Sequence, residues 1–263
     1  MACEVCGGTG FEIVQDGGRD FARPCTCRQA GAVANTPEGA LAACRIPPRY
    51  RHCTFERFDA GHPPLRAALE KTLSYCAGYP YTNEADQGLG LLFTGDNGVG
   101  KTHLSVAVLQ ELAVRKGVRG QFWDFHELIR EIKNSYNAET KTTELQVLEP
   151  VIETDLLVLD DLGAWRMTDW MNDTLFFILN SRYLAQRASI ITTNFQDVDA
   201  KTAASRDNDH RRKEYLVDRI GLRLRSRLME MCVVIPIQGP DHRQQAQHGK
   251  SALLGSSERA RRP

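Results

Sequence analysis

Short apolar runs alternate with helical patterns over most of the chain. Five of these runs have the length and apolar content of buried strands, and they span residues 89–93, 121–125, 156–159, 190–193 and 233–237. Between them the apolar positions recur with helical spacing, as they do over residues 103–116. This alternation predicts an α/β fold with a parallel sheet flanked by helices.

The pattern changes at both ends of the chain. Four cysteines cluster in the first 27 residues, which indicates a separate N-terminal module. Residues 30–64 hold five prolines and little periodicity, typical of a partly extended connector. The final 23 residues are rich in Gln, Ser, Gly and Arg and lack an apolar period, which predicts a disordered tail. The predicted organisation is a module at 1–30, a linker at 31–66, a main domain at 67–240 and a tail at 241–263.

Composition narrows the class of protein. The 263 residues are 42% apolar and 25% charged, as in ordinary globular domains. The 33 basic residues balance 33 acidic ones, so bulk positive charge is excluded as a means of binding nucleic acid, although local patches remain possible. No apolar run approaches the roughly 20 residues of a membrane span, and residues 1–10 lack a basic and apolar leader. We therefore expect a cytoplasmic protein without membrane contact.

A complete phosphate-binding motif follows the first predicted strand. It matches GxxxxGK[ST], and its residues are Gly95, Asp96, Asn97, Gly98, Val99, Gly100, Lys101 and Thr102. Glycines let the backbone N–H groups face phosphate oxygens at the start of a helix. Lys101 would bridge the terminal phosphates of ATP, and Thr102 would hold Mg²⁺. A Gly-rich turn without a ligand is the alternative.

Two further strands end in polar residues. The apolar run at 156–159 leads into Asp160 and Asp161, the arrangement of a Walker B strand. Asp160 would hold the magnesium shell, and Asp161 would orient or deprotonate the attacking water. The next strand ends at Asn194, whose amide would bond the γ-phosphate or that water. A turn or helix cap is the alternative for each of these residues.

A basic segment over residues 218–228 carries four arginines. Most charges of this kind simply solvate a helix face. One of these arginines would instead act at the ATP site of a neighbouring subunit, where it would neutralise the charge that develops on the transferred phosphoryl group.

Together these motifs resemble the DnaC/DnaI-type helicase loaders, AAA+ ATPases related to the DnaA initiator and the IstB transposition helper. The resemblance rests on the phosphate-binding motif, the Asp160 strand, Asn180-Ser-Arg-Tyr183 with Asn194, and Ser226-Arg-Leu228. It extends to Ile46-Pro-Pro-Arg-Tyr50. The resemblance implies that Asn194 is sensor 1 and that Arg227 is a finger acting in trans, so that subunits associate through a shared ATP site.

The N-terminal cysteines form two close pairs. Cys3 and Cys6 are followed, 18 residues later, by Cys25 and Cys27. Four thiolates in this spacing suit a tetrahedral Zn²⁺ ion, and a module of about thirty residues needs a metal or staple to fold. Disulfides or unrelated thiols are the alternatives. The single cysteines elsewhere are expected to be core or surface residues.

A loader should contact single-stranded DNA, which requires positive charge beside aromatic faces. Lys133, Tyr136 and Lys141 are the candidates, whereas Phe122, Trp123 and Phe125 fit the sheet core better.

These observations predict an ATPase that loads a replicative helicase on single-stranded DNA, with the zinc module as its helicase-binding head. An IstB-like helper of transposition and a zinc-dependent binding module with a passive nucleotide switch are the alternatives.

Overall fold

A computed structural model describes residues 11–16, 19–24, 37–80, 88–136, 143–197 and 214–243. Its centre is a sheet of five strands, which are β3 (Gly90–Thr94), β4 (Gly120–Asp124), β5 (Leu156–Asp160), β6 (Ala188–Thr193) and β7 (Cys232–Pro236). Their order in the sheet is β4-β5-β6-β3-β7, and all neighbouring strands are parallel. The predicted α/β fold is confirmed, and each predicted strand begins within two residues of its observed start.

Helices cover both faces of the sheet. The described helices are α1 (Pro37–Ala43), α2 (Pro63–Gly78), α3 (Lys101–Lys116), α4 (Phe125–Ser135), α5 (Glu144–Glu153), α6 (Asp169–Leu184) and α7 (Leu216–Met231). One core cluster lies between the sheet and the α2 and α3 side, and a second lies between the sheet and helices α4 to α7. Because both faces are covered, β3 and β5 are buried along their whole length. None of the described helices combines the length and apolarity of a membrane span.

The connector before the main domain is more ordered than its sequence pattern indicates. It contains α1 and two short 3₁₀ turns, Pro48–Tyr50 and Phe55–Arg57. Buried side chains anchor it to the first core cluster, among them Cys44, Ile46 and Phe58. Phe122 N of β4 also donates to Cys44 O at 2.8 Å. The residues that anchor it are single and unevenly spaced, so they produce no periodicity in the sequence.

The four single cysteines, Cys44, Cys53, Cys76 and Cys232, are all buried and unpaired by disulfides. Burial raises the pKa of the Cys76 thiol to about 12. They are therefore core residues, which is one of the two locations expected for them, core or surface.

An antiparallel hairpin precedes these elements. Strand β1 (Phe11–Asp16) pairs with β2 (Arg19–Pro24), with Phe11 opposite Pro24. The four clustered cysteines lie outside the described residues.

Candidate nucleotide site

The phosphate-binding motif forms the turn between β3 and α3. Gly95, Gly98 and Gly100 have φ values of 148°, 76° and 104°, which residues with a Cβ rarely adopt. Gly98 is also constrained by packing, because a Cβ there would lie 1.8 Å from Asp241 Oδ1. The turn therefore brings backbone N–H groups to the start of α3, where the helix dipole favours an anion.

Lys101 is buried at the first position of α3. Its Nζ donates to Gly95 O at 2.9 Å and to Asp96 O at 2.6 Å. Burial lowers the pKa of Lys101 to about 8, against the opposing effect of the nearby carboxylates. A buried ammonium held only by carbonyls is a ready partner for phosphate oxygens.

Asp160 lies at the end of β5 and faces Thr102. Thr102 Oγ1 donates at 2.9 Å and 3.0 Å to the two carboxylate oxygens. Thr192 Oγ1 donates to Asp160 Oδ1 at 2.6 Å. Burial raises the pKa of Asp160 to about 6, because desolvation outweighs these hydrogen bonds. A hydroxyl and a buried carboxylate form the oxygen donor set that Mg²⁺ prefers, so these residues fit that ion.

Asp161 is held in a left-handed conformation, with φ of 61°. Its Oδ1 accepts a hydrogen bond of 2.7 Å from Asn194 Nδ2, and its backbone N donates to Thr192 Oγ1 at 2.9 Å. The structure therefore brings Asp161 and Asn194 into direct contact beside the phosphate-binding turn. Sequence reasoning missed Thr192, although its hydroxyl lies in the same Thr-Thr-Asn run that led to Asn194.

These residues line a cavity of about 630 Å³ whose other wall comes from the connector. Arg49, Tyr50, Arg57 and Phe58 belong to that wall. His103 Nε2 of α3 donates to Thr54 O at 2.7 Å and fixes the connector against the site. The sequence identifies this segment as a connector and as part of the family resemblance, but it does not predict that the connector lines the cavity.

The segment after β7 also reaches the cavity. Ile237 N donates to Thr94 O at 2.7 Å, and His242 N donates to Gly98 O at 3.2 Å. His242 and Arg243 are part of the lining. The first residues of the predicted tail thus pack on the phosphate-binding turn, and Arg243 is a cation that sequence reasoning missed. Residues 244–263 lie outside the described part of the chain.

Arg227 lies on α7 and does not line the cavity of its own subunit. Its Cζ is 4.1 Å from the centre of the Tyr183 ring, and its Nη1 donates to Glu230 Oε2 at 2.7 Å. The structure therefore keeps this residue apart from the other site residues within one chain.

The aromatic residues predicted as core and the candidate DNA residues lie in different surroundings. Phe122, Trp123 and Phe125 are buried, as expected of core residues. Lys133 Nζ lies 5.2 Å from the Trp170 ring centre, and Tyr136 packs edge-on against that ring at 6.1 Å. Trp170 was not identified from the sequence, and Lys141 lies outside the described residues.

Comparison with known proteins agrees with this geometry. The family described as IstB-like ATP binding protein matches residues 41–249. The chain belongs to that family. It is 28% identical to the replicative helicase loader DnaI of Bacillus subtilis strain 168 over 191 residues, which is 72% of this chain. It spans only 58% of the length of that relative.

Solved structures show the same fold. A crystal structure of the DnaC helicase loader is 30% identical, with a TM-score of 0.60, and covers 73% of this chain and 100% of its own. DnaA from Aquifex aeolicus bound to AMPPCP is 21% identical with a TM-score of 0.52, over 73% of this chain and 51% of its own. The main domain therefore has the AAA+ fold, and the chain is an ATP-binding protein.

Proposed function

We propose that this protein is an ATP-hydrolysing loader of a replicative helicase. The observation that carries the proposal is the contact of Asp161 with Asn194 beside the Thr102 and Asp160 pair. A domain that only held a nucleotide would not need a carboxylate oriented by an amide next to the phosphate turn. Similarity to a DnaC helicase loader and to DnaI supports a replicative helicase as the partner.

Each side chain at the site has a distinct task in hydrolysis. Lys101 exchanges the carbonyls of its own loop for the β- and γ-phosphates. Thr102 and Asp160 would hold Mg²⁺, which neutralises developing charge on the phosphates when it is bound. Asp161 accepts the hydrogen bond of the attacking water or its proton, while Asn194 fixes the orientation of that carboxylate.

A second subunit is proposed to supply a further arginine to the nucleotide site. Within the described residues the cavity contains Arg49, Arg57 and Arg243 from its walls, but none of the arginines of α7. We assign Arg227 as the finger that a neighbouring subunit receives. Hydrolysis would then depend on self-association, which couples turnover to assembly.

Contact with single-stranded DNA is assigned to the cluster of Lys133, Tyr136 and Trp170. It combines a cation with two aromatic rings, the pairing that binds unstacked bases. Tyr136 is half exposed, so its ring is accessible.

The N-terminal module is proposed to bind Zn²⁺ and the helicase. The open end of its hairpin, where Phe11 pairs with Pro24, is the end from which the chain continues to both cysteine pairs. This connectivity suits a metal that closes the hairpin.

Turnover measured with the intact chain tests the proposal. We expect ATP hydrolysis that single-stranded DNA stimulates, and co-purification of the helicase encoded by the same genome. Lys101→Ala serves as the control for a contaminating ATPase. Undetectable hydrolysis with DNA and partner present would contradict the ATPase.

The family match also favours a second candidate, a helper that delivers a transposase to target DNA. Capture of a transposase in place of the helicase would favour it.

A further inference from the structure

The arginines of α7 differ in how the rest of the chain holds them. Arg225 binds Asp197 through two hydrogen bonds of 2.5 Å and 2.8 Å, and Arg219 pairs with Glu214 while its Cζ lies 4.5 Å from the centre of the Phe195 ring. The other two lie over rings of α6, and these pairs are Arg223 on Phe176 at 3.7 Å and Arg227 on Tyr183 at 4.1 Å. Of these two pairs on α6, that of Arg227 has a further hydrogen-bonded partner among the described residues.

That further group is Glu230, one helical turn beyond Arg227. Its Oε2 accepts from Arg227 Nη1 at 2.7 Å, while its Oε1 accepts from the Tyr183 hydroxyl. Arg227, Tyr183 and Glu230 therefore form a closed triangle of two hydrogen bonds and one ring stack. The guanidinium plane is fixed from below by the ring and from one edge by the carboxylate.

We infer that Tyr183 and Glu230 are positioning residues that preorganise Arg227 to meet the phosphates of a neighbouring subunit. The inference rests on the proposed function, in which Arg227 is the finger. A free arginine side chain loses considerable rotamer entropy on binding, and a preorganised one has already lost it. Glu230 engages Nη1 and the Nε atom is buried, so the donors that remain for a phosphate are the other hydrogens of the two Nη groups.

The contacts favour positioning over inhibition. Glu230 is half exposed and the Arg227 side chain is 22% exposed, so water screens their attraction. A weak pair of this kind orients the arginine without trapping it. The Tyr183 ring lies against the face of the guanidinium, whereas a phosphate would bind at its edge.

This role explains part of the Asn180-Ser-Arg-Tyr183 motif, to which sequence analysis gave no chemistry. Arg182 points into the core and Tyr183 points towards α7. Two adjacent residues of one motif thus have different roles: Arg182 stabilises the domain, and Tyr183 positions the arginine that meets the neighbouring subunit.

Mixed assemblies of full-length chains test the inference. A Lys101→Ala chain supplies an intact finger, and an Arg227→Ala chain supplies an intact phosphate turn, so turnover of the mixture reports shared sites only. Tyr183→Leu is then added to either chain in turn. The matched controls are Tyr183→Phe, which keeps the ring, and Phe176→Leu, which removes the ring beneath Arg223.

We expect Tyr183→Leu in the finger-supplying chain to lower kcat of the mixture roughly tenfold, with little change in KM, because a misplaced group loses much of its catalytic effect. The same substitution in the chain that supplies the phosphate turn should leave kcat unchanged. Tyr183→Phe and Phe176→Leu in the finger-supplying chain should retain most of the turnover. A merely structural role for Tyr183 would lower turnover equally from either chain.

Three results would overturn the inference, and they are distinguishable. An equal loss from either chain, or no loss at all, would remove the positioning role while leaving Arg227 as the finger. A loss with Phe176→Leu alone would point to Arg223. No recovery of turnover in the unmodified mixture, with mixed assembly shown by cross-linking, would reject the finger in the proposed function and the inference with it.

Discussion

Arg182 is a fully buried cation that contacts no carboxylate in the described part of the chain, and replacing it by methionine should destabilise the domain strongly. Its guanidinium donates to Ser189 Oγ at 2.9 Å and to five carbonyl oxygens, those of Val151, Ile152, Thr154, Asp155 and Ala188. The first two carbonyls belong to the last turn of α5, which has no further helical donors. Arg182 therefore joins the end of α5 to the starts of β5 and β6.

The magnitude follows from what Arg182→Met would leave behind. Methionine fills most of the volume but donates no hydrogen bond, so several buried acceptors lose their partner at about 1–3 kcal/mol each. Burial lowers the pKa of Arg182 to about 9, so removing this desolvated charge returns part of that loss. We expect a net decrease of about 3–5 kcal/mol in the free energy of unfolding, as for other broken buried networks.

Urea unfolding followed by circular dichroism measures this difference. Arg187→Met is the matched control, because Arg187 is half-buried and its Nη1 donates to one carbonyl only, that of Ile152, at 2.9 Å. The control should lose about 1 kcal/mol or less. Equal losses in the two variants, or less than about 1 kcal/mol for Arg182→Met, would refute the reasoning.

Three further predictions concern the nucleotide site and the zinc module. Asp161→Asn should bind ATP with unchanged affinity but hydrolyse it about a hundredfold more slowly, because only the acceptor for the water is altered; wild-type turnover in a coupled assay would show that another residue is the base. Asp160→Asn should raise the Tm of the nucleotide-free protein by about 2–4 °C per kcal/mol gained, since it removes a buried charge and keeps Oδ1, the oxygen to which both Thr102 and Thr192 donate. A lower Tm in calorimetry would contradict this. The purified chain should contain about one zinc ion bound by Cys3, Cys6, Cys25 and Cys27, and metal-free protein in elemental analysis would exclude the knuckle.

The strands and the phosphate turn were predictable because local sequence specifies them. Apolar runs of five or six residues are buried on both faces of the sheet, and the glycines of the motif have conformations that other residues avoid. Asp160, Asp161 and Asn194 were found for the same reason, since parallel strands bring their carboxyl ends to one edge.

Contacts between distant segments could not be read in this way. Thr192 contacts Asp160 because β5 and β6 are neighbours in the sheet, and the order of the strands in the sheet cannot be predicted from the local sequence. Phe58 and Arg243 approach the site from the connector and from the segment after β7, neither of which has a periodic pattern. The stack of Arg227 on Tyr183 likewise depends on how α6 packs against α7.

The central claim is that ATP turnover by this protein places a helicase on DNA. A circular single strand is the sharpest substrate, because it offers no free end onto which a helicase could thread. The measurement is the amount of helicase retained on the circle after gel filtration, with the intact chain and ATP present. The account predicts retention with the wild-type chain and its loss with Lys101→Ala. Equal retention without the chain, or undiminished retention with Lys101→Ala, would contradict it.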